Sequence, residues 1–266
     1  MKVPVYDVKG HSKGEVTLGK AFSKRLRPDM IKKAVLAEES RNRQPYGSDK
    51  LAGQRTSAYY KGRRGIRNSM MNREISRMKR IIGPGFMHFR ARAIPGVVKG
   101  RKAHPPKTEK NWEKKINSKE RMQALLSAVS STVHRDIVSG RGHMVKDAKH
   151  VPLVVEDKLC EISKNKDVVE LLVSLGLGKE LERCAEKKTR SGRGKTRGRK
   201  TVKRKGPMIV VSETKGIEKA ARNIPGVEVS TAKDLRVSML APGTVPGRLC
   251  IWTKSAVQEM EKLAAS

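Results

Sequence analysis

The chain has 266 residues, of which 60 are lysine or arginine and 26 are aspartate or glutamate, so its formal net charge at pH 7 is +34. A folded protein with this much like charge repels itself unless a polyanion neutralises it, and the candidate polyanions are nucleic acid and an anionic membrane. No stretch approaches the length of an apolar membrane span, and we expect no signal peptide at the first residues, so a cytoplasmic partner of nucleic acid is favoured.

The predicted elements outside two strongly basic segments alternate between strands and helices. In chain order they are a strand over 3–8, a helix over 28–39, a long helix from 117 or 118 to 140, a strand over 151–155, a helix over 168–175, a strand over 208–211, a helix over 217–224, strands over 227–229 and 249–252, and a helix over 256–263. Several of the strands are apolar runs without polar alternation, which is typical of parallel strands buried on both faces. The sequence therefore predicts an α/β fold, with a mainly parallel sheet and helices packed on it.

The long helix has clear signals at its ends. Asn117 or Ser118 can cap its start, and Gly140 ends it. Its apolar residues recur at helical spacing and form one stripe: Met122, Leu125, Leu126, Val129, Val133 and Ile137.

The positive charge is concentrated in two segments. Residues 41–107 contain 18 lysines and arginines and two acids, and residues 187–205 contain 11 and no acid. The other 180 residues carry 31 basic and 24 acidic residues, which is the composition of an ordinary domain. We therefore predict a globular α/β domain formed by 1–40 and 108–266. An extended, irregular basic loop, 41–107, is inserted in it, and 187–205 is a secondary RNA-binding segment within the globular part.

The long basic segment contains recurrent glycine and proline, and five of the nine aromatic residues of the chain. A solvated linker is one interpretation, but linkers are depleted in aromatic residues. Rings and guanidinium planes stack on unpaired bases while cations contact phosphates, which favours RNA. The predicted RNA-binding residues of this segment are Arg41, Arg43, Arg55, Tyr59, Tyr60, Lys61, Arg63, Arg64, Arg67, Arg73, Arg77, Arg80, Phe86, Phe89, Arg90, Arg92, Lys99, Arg101, Lys102, His104 and Lys107.

If this segment doubles back on itself, each arm of roughly 33 residues spans at most ~110 Å. That length is sufficient to thread deep into a large RNA. Because its charges repel one another and it has no core, we expect the segment to become ordered only on RNA.

The second basic segment is interpreted as a phosphate-binding tract, since arginine offers bidentate contacts and glycine allows close approach of the backbone. Gly194-Lys195-Thr196 resembles part of a nucleotide-binding loop, but that motif needs a glycine where this chain has Thr189. The predicted RNA-binding residues here are Arg190, Arg193, Lys195, Arg197, Arg199, Lys200, Lys203 and Arg204.

Patterns that indicate catalysis or metal binding are missing from the sequence. The six histidines and three cysteines form neither H-E-x-x-H nor C-x-x-C, and no G-x-S-x-G or G-x-G-x-x-G is present at a suitable place. We therefore expect no catalytic residue, no metal and no cofactor. Two other functions remain open: an RNA-modifying enzyme, which a thermal shift with S-adenosylmethionine or a nucleotide would support, and a DNA-compacting protein, which would bind duplex DNA as well as folded RNA.

Six motifs, in this order and spacing, resemble the universal large-subunit ribosomal protein four family in its archaeal and eukaryotic form. They are Val98–Lys107, Ile116–Arg121, Ser139–His143, Arg197–Lys200, Lys205–Val211 and Leu240–Leu249. The resemblance covers nearly the whole chain, and the absence of a long C-terminal extension favours an archaeal member.

The resemblance implies a structural constituent of the large ribosomal subunit that acts early in assembly and is not an enzyme. It implies that the α/β domain lies on large-subunit ribosomal RNA and that the basic loop helps line the peptide exit tunnel. Expected partners are that RNA and neighbouring ribosomal proteins, with no membrane and no self-association. The loop tip is expected over Lys61, Gly62, Arg63, Arg64, Gly65, Ile66 and Arg67.

Overall fold

The structure is a computed structural model, and it describes residues 1–265. Contacts between residues divide the chain into two compact units. One, the α/β unit, consists of Met1–Asn42 together with the chain from Glu113 onward. The other, the basic unit, is Arg43–Trp112. Nothing among the helices described is both long and apolar enough to cross a membrane.

A six-stranded sheet organises the α/β unit, with the strand order β2-β1-β3-β8-β6-β7. Only the edge pair β1 and β2 is antiparallel, and the other pairs are parallel. The mainly parallel sheet predicted from the sequence is confirmed. Its strands are β1 (Lys2–Tyr6), β2 (Ser12–Thr17), β3 (Leu153–Val155), β6 (Met208–Val211), β7 (Glu228–Thr231) and β8 (Cys250–Thr253), and a separate hairpin pairs β4 (Lys188–Thr189) with β5 (Thr201–Val202).

The eight helices are α1 (Pro28–Arg41), α2 (Ser118–Ser131), α3 (Arg135–Gly140), α4 (Asn165–Ser174), α5 (Gly178–Ala185), α6 (Ile217–Ala221), α7 (Val237–Leu240) and α8 (Lys254–Ala265), counted over the described residues. Four of them, α1, α2, α7 and α8, contribute to the hydrophobic core on one face of the sheet. Buried side chains of α3, α4 and α6 contribute to the core on the other face.

Successive side chains of the central strands belong alternately to the two hydrophobic cores. In β8, Cys250 and Trp252 belong to the first core and Ile251 to the second; in β3, Val154 belongs to the first and Leu153 to the second. Successive side chains of a strand point to opposite faces, so an apolar run is what a doubly covered sheet requires. This explains why these strands have no polar alternation.

The prediction of one long helix ending at Gly140 is wrong, because the chain breaks after Ser131 and a second helix, α3, begins at Arg135. Hydroxyl groups of Ser130, Ser131 and Thr132 donate to the carbonyl oxygens three residues earlier, at 3.1, 2.6 and 2.7 Å. Such bonds compete with the helical pattern. The break lets the chain change faces: Val129 lies in the first core and Val138 in the second.

Smaller differences concern short elements. The predicted helix over 217–224 ends at Ala221, and the predicted strand over 227–229 lies over Glu228–Thr231. The elements β2, α5, α7 and the hairpin β4–β5 were not predicted. Strand β2 is exposed along nearly its whole length, so it has no apolar pattern to detect.

Candidate nucleic-acid interface

The basic unit is irregular. Across residues 43–112, all of which the structure describes, there is no helix and no strand beyond two isolated bridges. Both bridges meet at Arg80, which exchanges backbone hydrogen bonds of 3.2 and 3.1 Å with Tyr59 and also pairs with Ala91. The Arg80 guanidinium donates to the carbonyl oxygens of Phe89 (2.8 Å) and Ser76 (3.1 Å). Arg80 thus connects three passes of the chain.

Arg92 also has its guanidinium committed inside the basic unit. Its side chain is buried and donates to the carbonyl oxygen of Val98 at 2.6 Å, while its backbone amide donates to Lys79 at 3.0 Å. Only Ser69, Met70 and Arg92 are buried in this unit. RNA contact by Arg80 and Arg92 stays a prediction, and the geometry gives both residues a structural role.

Most of the other basic and histidine side chains predicted to bind RNA in this segment are exposed. They are Arg41, which ends α1 in the α/β unit, and, in the basic unit, Arg43, Arg55, Arg63, Arg64, Arg67, Arg73, Arg77, Arg90, Lys99, Arg101, Lys102, His104 and Lys107; Lys61 is half-buried. Among these, in the described part of the chain, only Arg55 has an acidic partner, Asp49. The surface therefore presents cationic groups that are not neutralised by the protein.

Aromatic side chains lie among these cations. Phe86 is 79% exposed, and the guanidinium of Arg90 lies 5.0 Å from its ring centre. Arg73 lies 4.8 Å from the half-buried ring of Phe89. Tyr59 and Tyr60 are exposed. An open aromatic face beside a guanidinium can stack a base while the cation contacts its phosphate.

A second aromatic group was not predicted as a site. The rings of Tyr46 and Trp112 lie 4.6 Å apart, and Arg43 and Lys110 approach the Trp112 ring at 5.8 and 5.4 Å. Trp112 falls outside the predicted loop boundary at 107. The signal that would have found it is a tryptophan within a lysine-rich sequence, since aromatic rings are otherwise rare in this chain.

The predicted loop tip lies within a closed turn. The amide of Met70 donates to the carbonyl oxygen of Lys61 at 2.8 Å, and that of Ser69 to Ile66 at 3.1 Å. Gly65 has a φ of +76°, which favours glycine, and open space surrounds the position of a Cβ there. Arg63, Arg64 and Arg67 are exposed on this turn.

The second basic segment forms the hairpin β4–β5 and its connecting loop. Arg190 holds the loop base, donating from its backbone amide to Lys200 (2.8 Å) and from Nε to the Arg199 carbonyl (3.0 Å). The Thr196 hydroxyl donates to the Arg193 carbonyl, at 2.9 Å. Beyond Arg190, the cations Arg193, Lys195, Arg197, Arg199, Lys200 and Lys203 are exposed, and Arg204 is half-buried and pairs with Glu186 at 2.6 Å.

A buried carboxylate anchors this hairpin. Glu180, on α5, is fully buried, and His143 Nδ1 lies 2.6 Å from its Oε1. The Met144 amide donates to Oε2 at 2.9 Å, and Arg183 donates through Nε (2.8 Å) and Nη2 (2.7 Å). Arg183 Nη2 also donates to the Lys205 carbonyl at 2.8 Å, where the chain returns from β5.

The same network sets the protonation state of Glu180. Burial alone would raise its pKa, but the hydrogen bonds from Arg183, His143 and the Met144 amide lower the pKa to about 2. The carboxylate is therefore ionised at neutral pH, and it can only accept the hydrogen bond that it shares with His143 Nδ1.

Arg248 forms a neighbouring buried group. It is fully buried and donates to the carbonyl oxygens of Gly206 (2.9 Å) and Met239 (2.9 Å) and to the carboxylate of Glu228 (2.6 Å). Glu228 also pairs with Lys205. The chain that leaves the hairpin at Lys205 and Gly206 is thus held by paired charges of the α/β unit.

Within the described residues, no group of three histidine, cysteine or acidic side chains is arranged to hold a metal ion. The three cysteines are buried and unpaired.

Comparison with known proteins gave consistent matches. The model of the ribosomal protein L4/L1 family matches residues 16–263. The chain is 44% identical to large ribosomal subunit protein uL4 of Nanoarchaeum equitans, covering 98% of both chains. It is 41% identical to the uL4 protein of Archaeoglobus fulgidus over 97% of both chains, and 42% identical to that of Methanococcus aeolicus over 98% of this chain and 99% of the relative.

Proposed function

The chain belongs to the ribosomal protein L4/L1 family, and we propose that it is a structural constituent of the large ribosomal subunit that binds ribosomal RNA. The observation that carries RNA binding is the basic unit, where exposed arginines without acidic partners alternate with aromatic faces. Phosphates would neutralise the arginines, and unpaired bases would stack on Tyr59, Tyr60 and Phe86. The protein would act as a scaffold in the cytoplasmic ribosome, not as an enzyme.

The two basic segments would divide the work. The α/β domain, predicted as 1–40 and 108–266, would anchor the protein on the RNA surface, with the hairpin loop gripping phosphates. The inserted segment 41–107 would extend inward, its tip at Lys61–Arg67 helping to line the peptide exit tunnel. Neighbouring large-subunit proteins would be its other partners.

The lack of a core in the basic unit supports a role early in subunit assembly. With three buried residues in 70, this unit has little apolar surface to offset the entropy of ordering. RNA would supply the missing stabilisation, so binding and ordering would occur together. Amide hydrogen exchange of the free protein tests this: fast exchange over 43–112 and slow exchange in β3, β6 and β8 is expected, whereas protection throughout the basic unit would contradict it.

Sedimentation of cell extract through a gradient containing about 0.5 M salt tests the function as a whole. Purely electrostatic contacts weaken steeply with salt. Co-sedimentation with the large subunit is the expected result. Release into the soluble fraction would indicate a reversible RNA or DNA binder.

Variants assign the contacts to the two segments. Two triple variants, each with three arginines changed to glutamine, should each reduce the salt slope of binding to purified large-subunit RNA by about 2. The first changes Arg63, Arg64 and Arg67, and the second changes Arg193, Arg197 and Arg199. The control variant changes Lys219, Arg222 and Lys233, which are exposed on the α/β unit, to glutamine. It should leave the salt slope unchanged. Equal slopes for all three sets would exclude both segments as the interface.

A further inference from the structure

The α/β unit contains a cavity whose lining belongs neither to the basic unit nor to the hairpin β4–β5. It has a volume of about 520 Å³ and lies where the end of α1, the first turns of α2 and the start of α7 meet. Its lining includes the arginines Arg41, Arg121 and Arg236 and the apolar side chains of Met122, Leu125 and Leu235. Cavities of roughly 300–1,000 Å³ are the usual size for small organic ligands.

The electrostatics of this cavity favour an anion. Within the described chain, none of the three arginines has an acidic partner, and all three are exposed. The one lining carboxylate, Glu38, accepts hydrogen bonds from the amides of Val237 (3.3 Å) and Ser238 (2.9 Å). It is therefore already committed to holding the start of α7.

Helix α2 adds to the positive potential. Ser118, its first residue, lines the cavity, and Asn117 makes no side-chain hydrogen bond to the free amides of the first turn. These amides and the helix dipole favour a negative group at this end. The 14 residues of α2 make it long enough to carry a substantial dipole.

The apolar part of the lining decides the class of anion. Met122 is 37% exposed and Leu125 is half-buried, so an apolar surface lies open beside the arginines. An inorganic phosphate or an acidic peptide side chain would satisfy the cations and leave this surface in water. A nucleotide covers both, because its base has two apolar faces and its phosphate accepts bidentate bonds from guanidinium groups.

We propose that this cavity binds one unstacked nucleotide of an RNA strand, with the base on Met122 and Leu125 and the phosphate on Arg121 and Arg236. The inference rests on the proposed function in so far as it takes RNA as the ligand, and it assigns a site that lies outside the basic unit and the hairpin β4–β5. Since the contacts are to the faces of the base and to the phosphate, the site would tolerate several bases.

Methyl NMR of the full-length protein tests the site directly. Methionine methyl groups are labelled with ¹³C, and Met122 is assigned by the loss of its signal in Met122→Leu. The protein is titrated in about 0.3 M salt with a tetra-adenylate RNA and with an abasic ribose-phosphate tetramer. We expect the ring current of a stacked base to shift the Met122 signal with the tetra-adenylate and not with the abasic tetramer.

Two double variants locate the phosphate contact. Arg121→Gln with Arg236→Gln should weaken the titration followed at Met122 by about tenfold or more, since two charge-assisted bonds are lost. Lys219→Gln with Arg222→Gln, exposed elsewhere on the same unit, should leave it unchanged. An unaltered methyl spectrum of the free variants verifies that they fold.

Other outcomes overturn the proposal and separate it from the proposed function. If methionines of the basic unit such as Met71 and Met78 shift while Met122 does not, RNA binding stands and the cavity is not a nucleotide site. If an acidic hexapeptide shifts Met122 at lower concentration than the tetra-adenylate, the cavity takes a protein segment. If the tetra-adenylate shifts no methionine and the protein does not bind purified large-subunit RNA, the proposed function fails as well.

Discussion

Replacing Glu180 by glutamine should destabilise the α/β unit in a pH-dependent way. The folded protein lowers the pKa of this carboxyl from its usual 4.5 to about 2. Lowering a pKa by one corresponds to about 1.4 kcal/mol, so the ionised carboxylate contributes about 3 kcal/mol to the free energy of unfolding at neutral pH. Glutamine retains the shape but not the charge, so Arg183 and His143 would face a neutral amide.

The sign of the pH dependence follows from the lowered pKa. The contribution is complete above the unfolded pKa, near 4.5, and decreases as the pH falls toward about 2. The difference in unfolding free energy between the wild type and Glu180→Gln should therefore be about 3 kcal/mol at pH 7 and about 1 kcal/mol at pH 3.

Urea unfolding followed by circular dichroism at pH 7, 5, 4 and 3, at constant ionic strength, measures this difference. Glu182→Gln is the matched control, because it makes the same change at an exposed position of the same helix. We expect that variant to follow the wild type within about 0.5 kcal/mol at every pH. A Glu180→Gln curve parallel to the wild type from pH 7 to pH 3 would refute the assignment of an ionised, network-bound carboxylate.

Three further predictions concern the α/β unit. Arg248→Met should lower the unfolding free energy by about 3 kcal/mol in urea titrations, because it removes the groups that donate to two carbonyl oxygens and a carboxylate. The control Arg222→Met, at an exposed position, should change the unfolding free energy little, and equal effects of the two variants would contradict the prediction. Gly176→Ala should lower the free energy of unfolding by about 1–3 kcal/mol in thermal unfolding, since φ is +84° and the added Cβ would overlap the Asp147 carbonyl. The control Gly178→Ala, with open space at its Cβ, should be tolerated. Iodoacetamide at pH 7.5 should label none of the three cysteines of the native protein and all three in urea. The reason is that burial raises the pKa of the Cys160 thiol, raises that of Cys184 to about 11 and raises that of Cys250 to about 12. Labelling of Cys250 in the native protein, detected by mass spectrometry, would place β8 outside the sheet centre.

The parallel sheet could be predicted from the sequence because its strands are covered on both faces. Met208–Val211 is buried at every position, so burial and sequence pattern coincide there. Helix α1 could also be predicted from the sequence, since Pro28 begins it and its buried residues recur at helical spacing.

The missed features depend on contacts distant in sequence. Nothing local in α5 distinguishes buried Glu180 from exposed Glu182, because the difference is made by His143 and Met144, nearly 40 residues earlier. The break after Ser131 was missed for a related reason: the apolar stripe continues through Ile137, but the two helices serve cores on opposite faces of the sheet.

The candidate site was predictable in composition rather than in geometry. Charge and aromatic content indicated the basic segments, and most of the named cations are exposed. The hydrogen bonds of Arg80 and Arg92 within the basic unit could not be predicted. The sequence does not distinguish an arginine that donates to carbonyl oxygens of its own chain from one that is free to bind a phosphate.

The place of β8 in the sheet constrains how the protein can be made. This strand is the last in the chain, yet it lies between β3 and β6 and pairs with both. A nascent chain therefore cannot close its sheet until Thr253 has been synthesised, and both cationic segments emerge before that. Until then the nascent chain carries both cationic segments without a continuous sheet, and chains cut short before Cys250 would lack the strand that joins β3 to β6.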